Sequence, residues 1–236
     1  MDEGLEITEA EARGPMGTEK REHIRQLLAM PRIAQAWSEI HGAAPHEDDI
    51  ERLYQAFLPL QTAAIAERSE LISGALELQE FAHNHGIRLG VNTGYSREMF
   101  EVMLPALERQ GFQPQSIVCA TEVPLGRPAP YMSLRGMIEL GAQAVQACVK
   151  VDDTATGIEE GLNAGMWTVA VVASGNALGL SEEQFFSLSE VERSQRIAVA
   201  RSKMAQSGAH YVIDSIADLP RVIQCIQEQL QLGVCP

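Results

Sequence analysis

Ala147-Cys148-Val149-Lys150-Val151-Asp152-Asp153-Thr154 is an apolar run that ends on two adjacent carboxylates, and what surrounds it decides the fold. Helical spacing follows over Thr156 to Ala164, then a second apolar run, Thr168-Val169-Ala170-Val171-Val172. The same alternation extends in both directions. A helix over Leu71 to His83 precedes the run Ile87-Arg88-Leu89-Gly90-Val91, and one over Arg97 to Gln110 precedes Ser116-Ile117-Val118-Cys119-Ala120. A third helix, Tyr131 to Leu140, leads into the quoted stretch. After an acidic helical insertion, Ser181 to Ser207, the strand Tyr211-Val212-Ile213 and a helix over Ile216 to Gln229 complete the pattern. Strands alternating with helices specify an α/β fold with a doubly wound, mostly parallel sheet.

Residues 1–68 have a different texture. Arg21 to Met30, Ile33 to His41 and Asp48 to Ala66 space apolar residues by three and four, as amphipathic helices do, and no convincing strand is present. Pro31, Gly42 and Pro45 punctuate these helices, and Pro59 is expected to bend or interrupt the long one. The chain thus divides into a helical unit, 1–68, and a Rossmann-like α/β unit, 69–236. In open α/β sheets ligands bind beyond the strand C-termini, which is where the polar residues of this chain collect.

Thirty-two acidic against 18 basic residues give a net charge of −14. A field of that sign repels nucleic-acid backbones, though a local arginine can still hold a small anion. No apolar run approaches the ~20 residues of a membrane span, and Met1 to Glu11 is acidic without a leader-like apolar core. Cys119, Cys148, Cys225 and Cys235 show no CxxC spacing, so neither zinc nor a redox pair is indicated. The expectation is a cytoplasmic protein with reduced thiols that binds neither nucleic acid nor membrane.

Four short segments carry candidate chemistry, each with a plainer reading beside it. Thr93-Gly94-Tyr95 follows a strand, so a hydroxyl and a bare N–H can cradle a phosphoryl or phosphonate group; it can equally be an ordinary turn. Arg127, in Gly126-Arg127-Pro128-Ala129-Pro130, can neutralise such a group or be a surface residue in a proline turn. Asp152 and Asp153 at a strand end repel each other unless a cation compensates, and hard oxygen ligands select Mg²⁺; capping of the next helix by Asp153 is the plainer reading. Lys20 needs desolvation or a neighbouring cation to become a nucleophilic amine; most lysines are simply solvated. His23 lies one helical turn on, within reach for proton exchange.

Together these segments resemble the phosphonoacetaldehyde hydrolase family of the haloacid dehalogenase superfamily. The resemblance covers nearly the whole chain. It is carried by Ala12-Arg13-Gly14-Pro15-Met16-Gly17 with Lys20 and His23, by Asn92-Thr93-Gly94-Tyr95, and by Gly126-Arg127-Pro128. Lys150-Val151-Asp152-Asp153, Glu160 through Val169, and Gly208-Ala209-His210-Tyr211 complete it. The Met-Gly-x-x-Lys segment is the most family-specific of these pieces. The resemblance implies a helical cap on a haloacid dehalogenase-like core, and an imine between Lys20 and the aldehyde of phosphonoacetaldehyde. Protonated, that imine is an electron sink for carbon–phosphorus cleavage to acetaldehyde and phosphate. It further implies that Thr93, Gly94 and Arg127 hold the phosphonate and that Asp153, assisted by Asp152, holds Mg²⁺. Met16, Tyr95 and His23 would tune the lysine, and a homodimer would form through the cap. Trp37, Ile40, Tyr54 and Phe57 serve either that interface or the cap core.

Two departures stand out. Many relatives carry Gly-Asp with a second aspartate four residues later, whereas here the pair is Asp152-Asp153 and the later position is Gly157. The family's first strand, ending in an Asp-x-Ala-Gly-Thr type motif with the phosphoryl-accepting aspartate, has no match; Asp2, Asp48 and Asp49 do not end apolar strands. The expectation is therefore a truncated, inactive form of a longer enzyme. Two other readings compete: a phosphoglycolate-type phosphatase, which would not need Lys20, and a non-catalytic aldehyde- or phosphonate-binding module.

Overall fold

Residues 4–236 are described in a computed structural model, and Asp2 lies outside them. Helix α1 (Glu9–Arg13) opens on a reciprocal cap: Thr8 Oγ1 accepts from the Glu11 N–H while Glu11 accepts from the Thr8 N–H. Glu19 accepts from the Arg21 and Glu22 N–H groups to start α2 (Lys20–Ala29), and Pro31 opens α3 (Pro31–His41). Helix α4 (Glu47–Glu67) runs through Pro59 without interruption. The carbonyl that Pro59 leaves unpaired belongs to Gln55, on the exposed side of the helix, where water can satisfy it. Leu28, Ile33, Trp37 and Ile50 form the interior of this helical segment. Tyr54 and Ile65 pack with Met99 of the next unit. Trp37 and Tyr54 are thus interior residues, Phe57 is half-buried and Ile40 is half exposed.

The α/β unit follows in the order α5 (Ala75–Asn84), β1 (Gly90–Thr93), α6 (Arg97–Arg109), β2 (Ser116–Cys119) and α7 (Tyr131–Glu139). It continues with β3 (Val149–Asp152), α8 (Ala155–Asn163), β4 (Trp167–Val171), α9 (Glu182–Ser187), α10 (Glu190–Ala205), β5 (Tyr211–Ile213) and α11 (Leu219–Gln231). The period of two in strands sorts side chains onto two faces. Val169 and Val171 pack with Ala75, Ile213 and Leu219, toward α5 and α11. Ala170 and Val172 pack with Ile158, Ala200 and Met204, toward α8 and α10. Strand β2 does the same, sending Val118 to Met132 and Cys119 to Phe100 and Leu107.

All pairings are parallel, but the strands form two sheets, β1-β2 and β3-β4-β5. Strand β1 begins at Gly90 rather than Ile87, because the Leu89 N–H donates to the Gln115 side chain instead of a ladder partner. β1 and β3 each keep one edge without a backbone partner among the described residues. Both line one cleft of about 610 Å³, together with apolar residues such as Leu78, Met132 and Ile226. Across it Lys150 Nζ on β3 donates to Asn92 Oδ1 on β1 at 2.5 Å.

Candidate active site

The strand ends deliver the site. Thr93 closes β1, Asp152 closes β3 with Asp153 just beyond it, and the chain after β4 turns at Ser174 to Asn176. Facing them is the segment Arg13 to Lys20, which bridges α1 and α2. Between them lies a cavity of about 580 Å³ lined by Met16, Lys20, Thr93, Gly94, Tyr95, Arg127 and Asp153 among others. Seven of the nine residues singled out in the sequence therefore share one cavity. His23 and Asp152 stand behind it. Arg13, Lys20, Arg68 and Arg127 face the cavity against Glu9 and Asp153, so an acidic chain presents a locally cationic site.

Close contacts hold the two walls together. Thr156 Oγ1 donates to the Met16 carbonyl at 3.1 Å and Arg127 Nη1 to the Gly17 carbonyl at 3.3 Å. Arg13 donates to the Gly179 carbonyl and to Asn176 Oδ1. Gly94 lies so near this segment that a Cβ would stand 2.7 Å from the Thr18 carbonyl oxygen. Only glycine lets the strand end approach that closely.

Lys20 Nζ sits 5.6 Å from the centroid of the Tyr95 ring. Burial pushes its ammonium below the ordinary lysine value, against the pull of Glu19. His23, buried one turn on, is pushed down to about 4 by burial and by the charge of Lys20, with the Ala12 backbone opposing. Its Nδ1 has no hydrogen-bond partner among the described residues. A neutral imidazole beside a lysine of lowered pKa is suited to carrying protons to and from that amine. Tyr95 is raised by burial, so its hydroxyl stays protonated.

The two carboxylates differ. Burial alone would raise Asp152, but Lys150 at 3.0 Å and Arg127 at 3.1 Å hold it well below the usual range. Its other oxygen accepts from the Thr154 N–H and hydroxyl. A Cβ at Gly157 would overlap the Asp152 carboxylate, so the missing side chain at 157 is what makes room for Asp152. Asp153 is raised by burial and by Asp152, and its Oδ2 accepts from the Asn176 N–H. Among the described residues no group of three acidic, histidine or cysteine side chains could enclose a metal. Mg²⁺ does not require one, since it keeps waters and is held by one or two carboxylates plus substrate oxygens. Asp153, facing the cavity with its charge only partly compensated, fits that role. Asp152 is engaged by two cations.

Three relevant residues stand in the quoted segments without a role assigned from the sequence. Glu160, fully buried, and Lys150 and Asn92 form the polar floor under Arg127. Their signal was a charge where apolar spacing predicts a buried face: Lys150 inside a strand, and Glu160 on the stripe of Gly157, Ile158 and Gly161.

Comparison with known proteins agrees with this geometry. The family model for haloacid dehalogenase-like hydrolases matches residues 3–165. The phosphonoacetaldehyde hydrolase of Hahella chejuensis is 49% identical over 232 residues, covering 98% of this chain and 79% of its own length. The chain belongs to the phosphonoacetaldehyde hydrolase family. The Paraburkholderia phytofirmans phosphonoacetaldehyde hydrolase is 45% identical over 233 residues, which is 99% of this chain and 87% of that one. The crystal structure of a phosphonoacetaldehyde hydrolase-like protein from Oleispira antarctica superposes with a TM-score of 0.97 at 49% identity. That match covers 100% of this chain and 85% of the other. The chain is therefore an enzyme-family member with the haloacid dehalogenase-like fold. No helix among the described residues is long and apolar enough to cross a membrane.

Proposed function

We propose that this chain hydrolyses the carbon–phosphorus bond of phosphonoacetaldehyde through an imine on Lys20. The observation that carries the reading is a half-buried lysine of lowered pKa in the same cavity as Thr93, Gly94 and Arg127. An ordinary phosphatase site has no use for that amine. Lys20 adds to the aldehyde carbon and loses water to give the protonated imine, with His23 passing the protons. Thr93, Gly94 and Arg127 hold the phosphonate oxygens. When a carboxylate attacks phosphorus, the C–P electron pair moves onto carbon and is absorbed by the imine as an enamine. Protonation and hydrolysis of the enamine release acetaldehyde and restore Lys20, while water cleaves the acyl phosphate to phosphate. Mg²⁺, held by Asp153, would neutralise charge on the phosphoryl oxygens.

None of the described site carboxylates is free to attack, because Asp152 is engaged by two cations, Asp153 suits the metal and Glu9 is paired with Arg13 at 2.8 Å. The reading therefore includes a strand seated between β1 and β3 that carries the attacking carboxylate beside Lys150. Two unpaired edges and the shared cleft support this. Each backbone group buried there without a partner costs about 1–3 kcal/mol, large against a domain stability of about 5–15 kcal/mol. A homodimer through the helical segment, with half-exposed Ile40 and exposed Leu60 in its contact, belongs to the same reading.

The test is phosphate release from phosphonoacetaldehyde with Mg²⁺, comparing this chain with one fused to an Asp-x-Ala-Gly-Thr strand. Turnover only in the fused protein is expected. Turnover in both at equal rates would mean that a carboxylate already present accepts the phosphoryl group.

A further inference from the structure

We infer that Glu160 is a positioning residue for the anion site, aiming Arg127 at the phosphoryl group; this rests on the reading of that site given above. Glu160 is fully buried on α8 and touches no part of the cavity. Its Oε2 accepts from Arg127 Nε at 2.9 Å and lies 3.3 Å from Lys150 Nζ. Its Oε1 accepts from the Ser133 N–H at 2.8 Å, the Ser133 hydroxyl at 2.7 Å and Asn92 Nδ2 at 2.7 Å. One carboxylate thus ties α8 to α7, to β1 and to the arginine. Arginine has five donors in a fixed plane, so fixing Nε fixes where the other two nitrogens point. Here Nη1 reaches the Gly17 carbonyl of the opposite wall and Nη2 reaches Asn92 and Asp152. An isolated buried carboxylate would be costly; this one is offset by two cations and a full set of donors. An amide is a poor replacement, because its NH₂ would meet either the Arg127 Nε–H or the N–H groups of Ser133 and Asn92, all of which can only donate.

The test uses inorganic phosphate binding by calorimetry alongside borohydride trapping of acetaldehyde on Lys20, in the chain as it stands. Acetaldehyde is uncharged, so its labelling reports an intact lysine site without the anion site. Glu160→Gln is expected to weaken phosphate binding about tenfold, with labelling within about twofold of wild type. Ser133→Ala, outside the cavity lining, is expected to weaken phosphate about threefold by loosening Glu160 and the Asn92 amide that shares it. Unchanged phosphate affinity in Glu160→Gln would overturn the inference. So would joint loss of labelling and binding in that variant with no effect of Ser133→Ala, since Glu160 would then only hold the fold. A wild type with no phosphate affinity would overturn it together with the anion site. Phosphate binding without any label on Lys20 would sink the imine reading and leave the role of Glu160 intact.

Discussion

Lys20 and His23 illustrate how one helical turn sets chemistry. Their spacing is legible in the sequence; their shared burial is not, because it depends on α2 closing over the strand ends. The consequence for pH has a definite sign. The His23 pKa falls from 6.5 to about 4 on folding, so the unfolded chain binds the proton first. Its contribution to stability is present above about pH 6.5 and is lost as pH falls toward about 4. The thermal midpoint should therefore drop less over that interval in His23→Gln than in wild type; an identical drop would show that His23 is not held neutral. Asp152 teaches the converse lesson. A carboxylate pair at a strand end signals a cation, but Lys150, Arg127 and a metal all answer that description, and only the fold separates the partners of Asp152 from those of Asp153.

At the level of elements, the apolar periods of three-to-four and two placed each of the five described strands and the longer helices, while the short α1 carried no such signal and the acidic insertion divides into α9 and α10. The periods were less informative about ends. β1 starts three residues late because Gln115 intercepts its ladder, and α4 absorbs Pro59 where Gln55, whose carbonyl loses its partner, is an exposed residue. The helical segment earns its rigidity from α3, where Trp37 is 1% exposed among Leu28, Ile33 and Ile50. Trp37→Ala should lower unfolding free energy by about 3–5 kcal/mol. Denaturant titration checks this, and a loss below about 1 kcal/mol would mean the site collapses around the missing ring.

For the whole molecule, two half-sheets and a helical segment meet at one cavity, and the partition of the sheet could not be read from strand count alone. Parallel strands separated by helices look alike whether or not neighbours pair, so the open edges of β1 and β3 appear only in three dimensions. Self-association belongs at this scale too. Ile40→Asp should shift a dimer to monomer in sedimentation velocity without changing stability; an unchanged sedimentation coefficient would exclude this face. Turnover of the whole molecule depends, in the proposed reaction, on the Lys20 amine. The sequence holds three lysines, Lys20, Lys150 and Lys203, few enough for peptide mapping to assign an adduct to one of them. Borohydride reduction in the presence of phosphonoacetaldehyde, followed by peptide mapping, tests this dependence most directly. A reduced adduct on Lys20, absent in Lys20→Arg, is expected. A protein that releases phosphate from phosphonoacetaldehyde with no adduct on Lys20 would contradict that role of the amine.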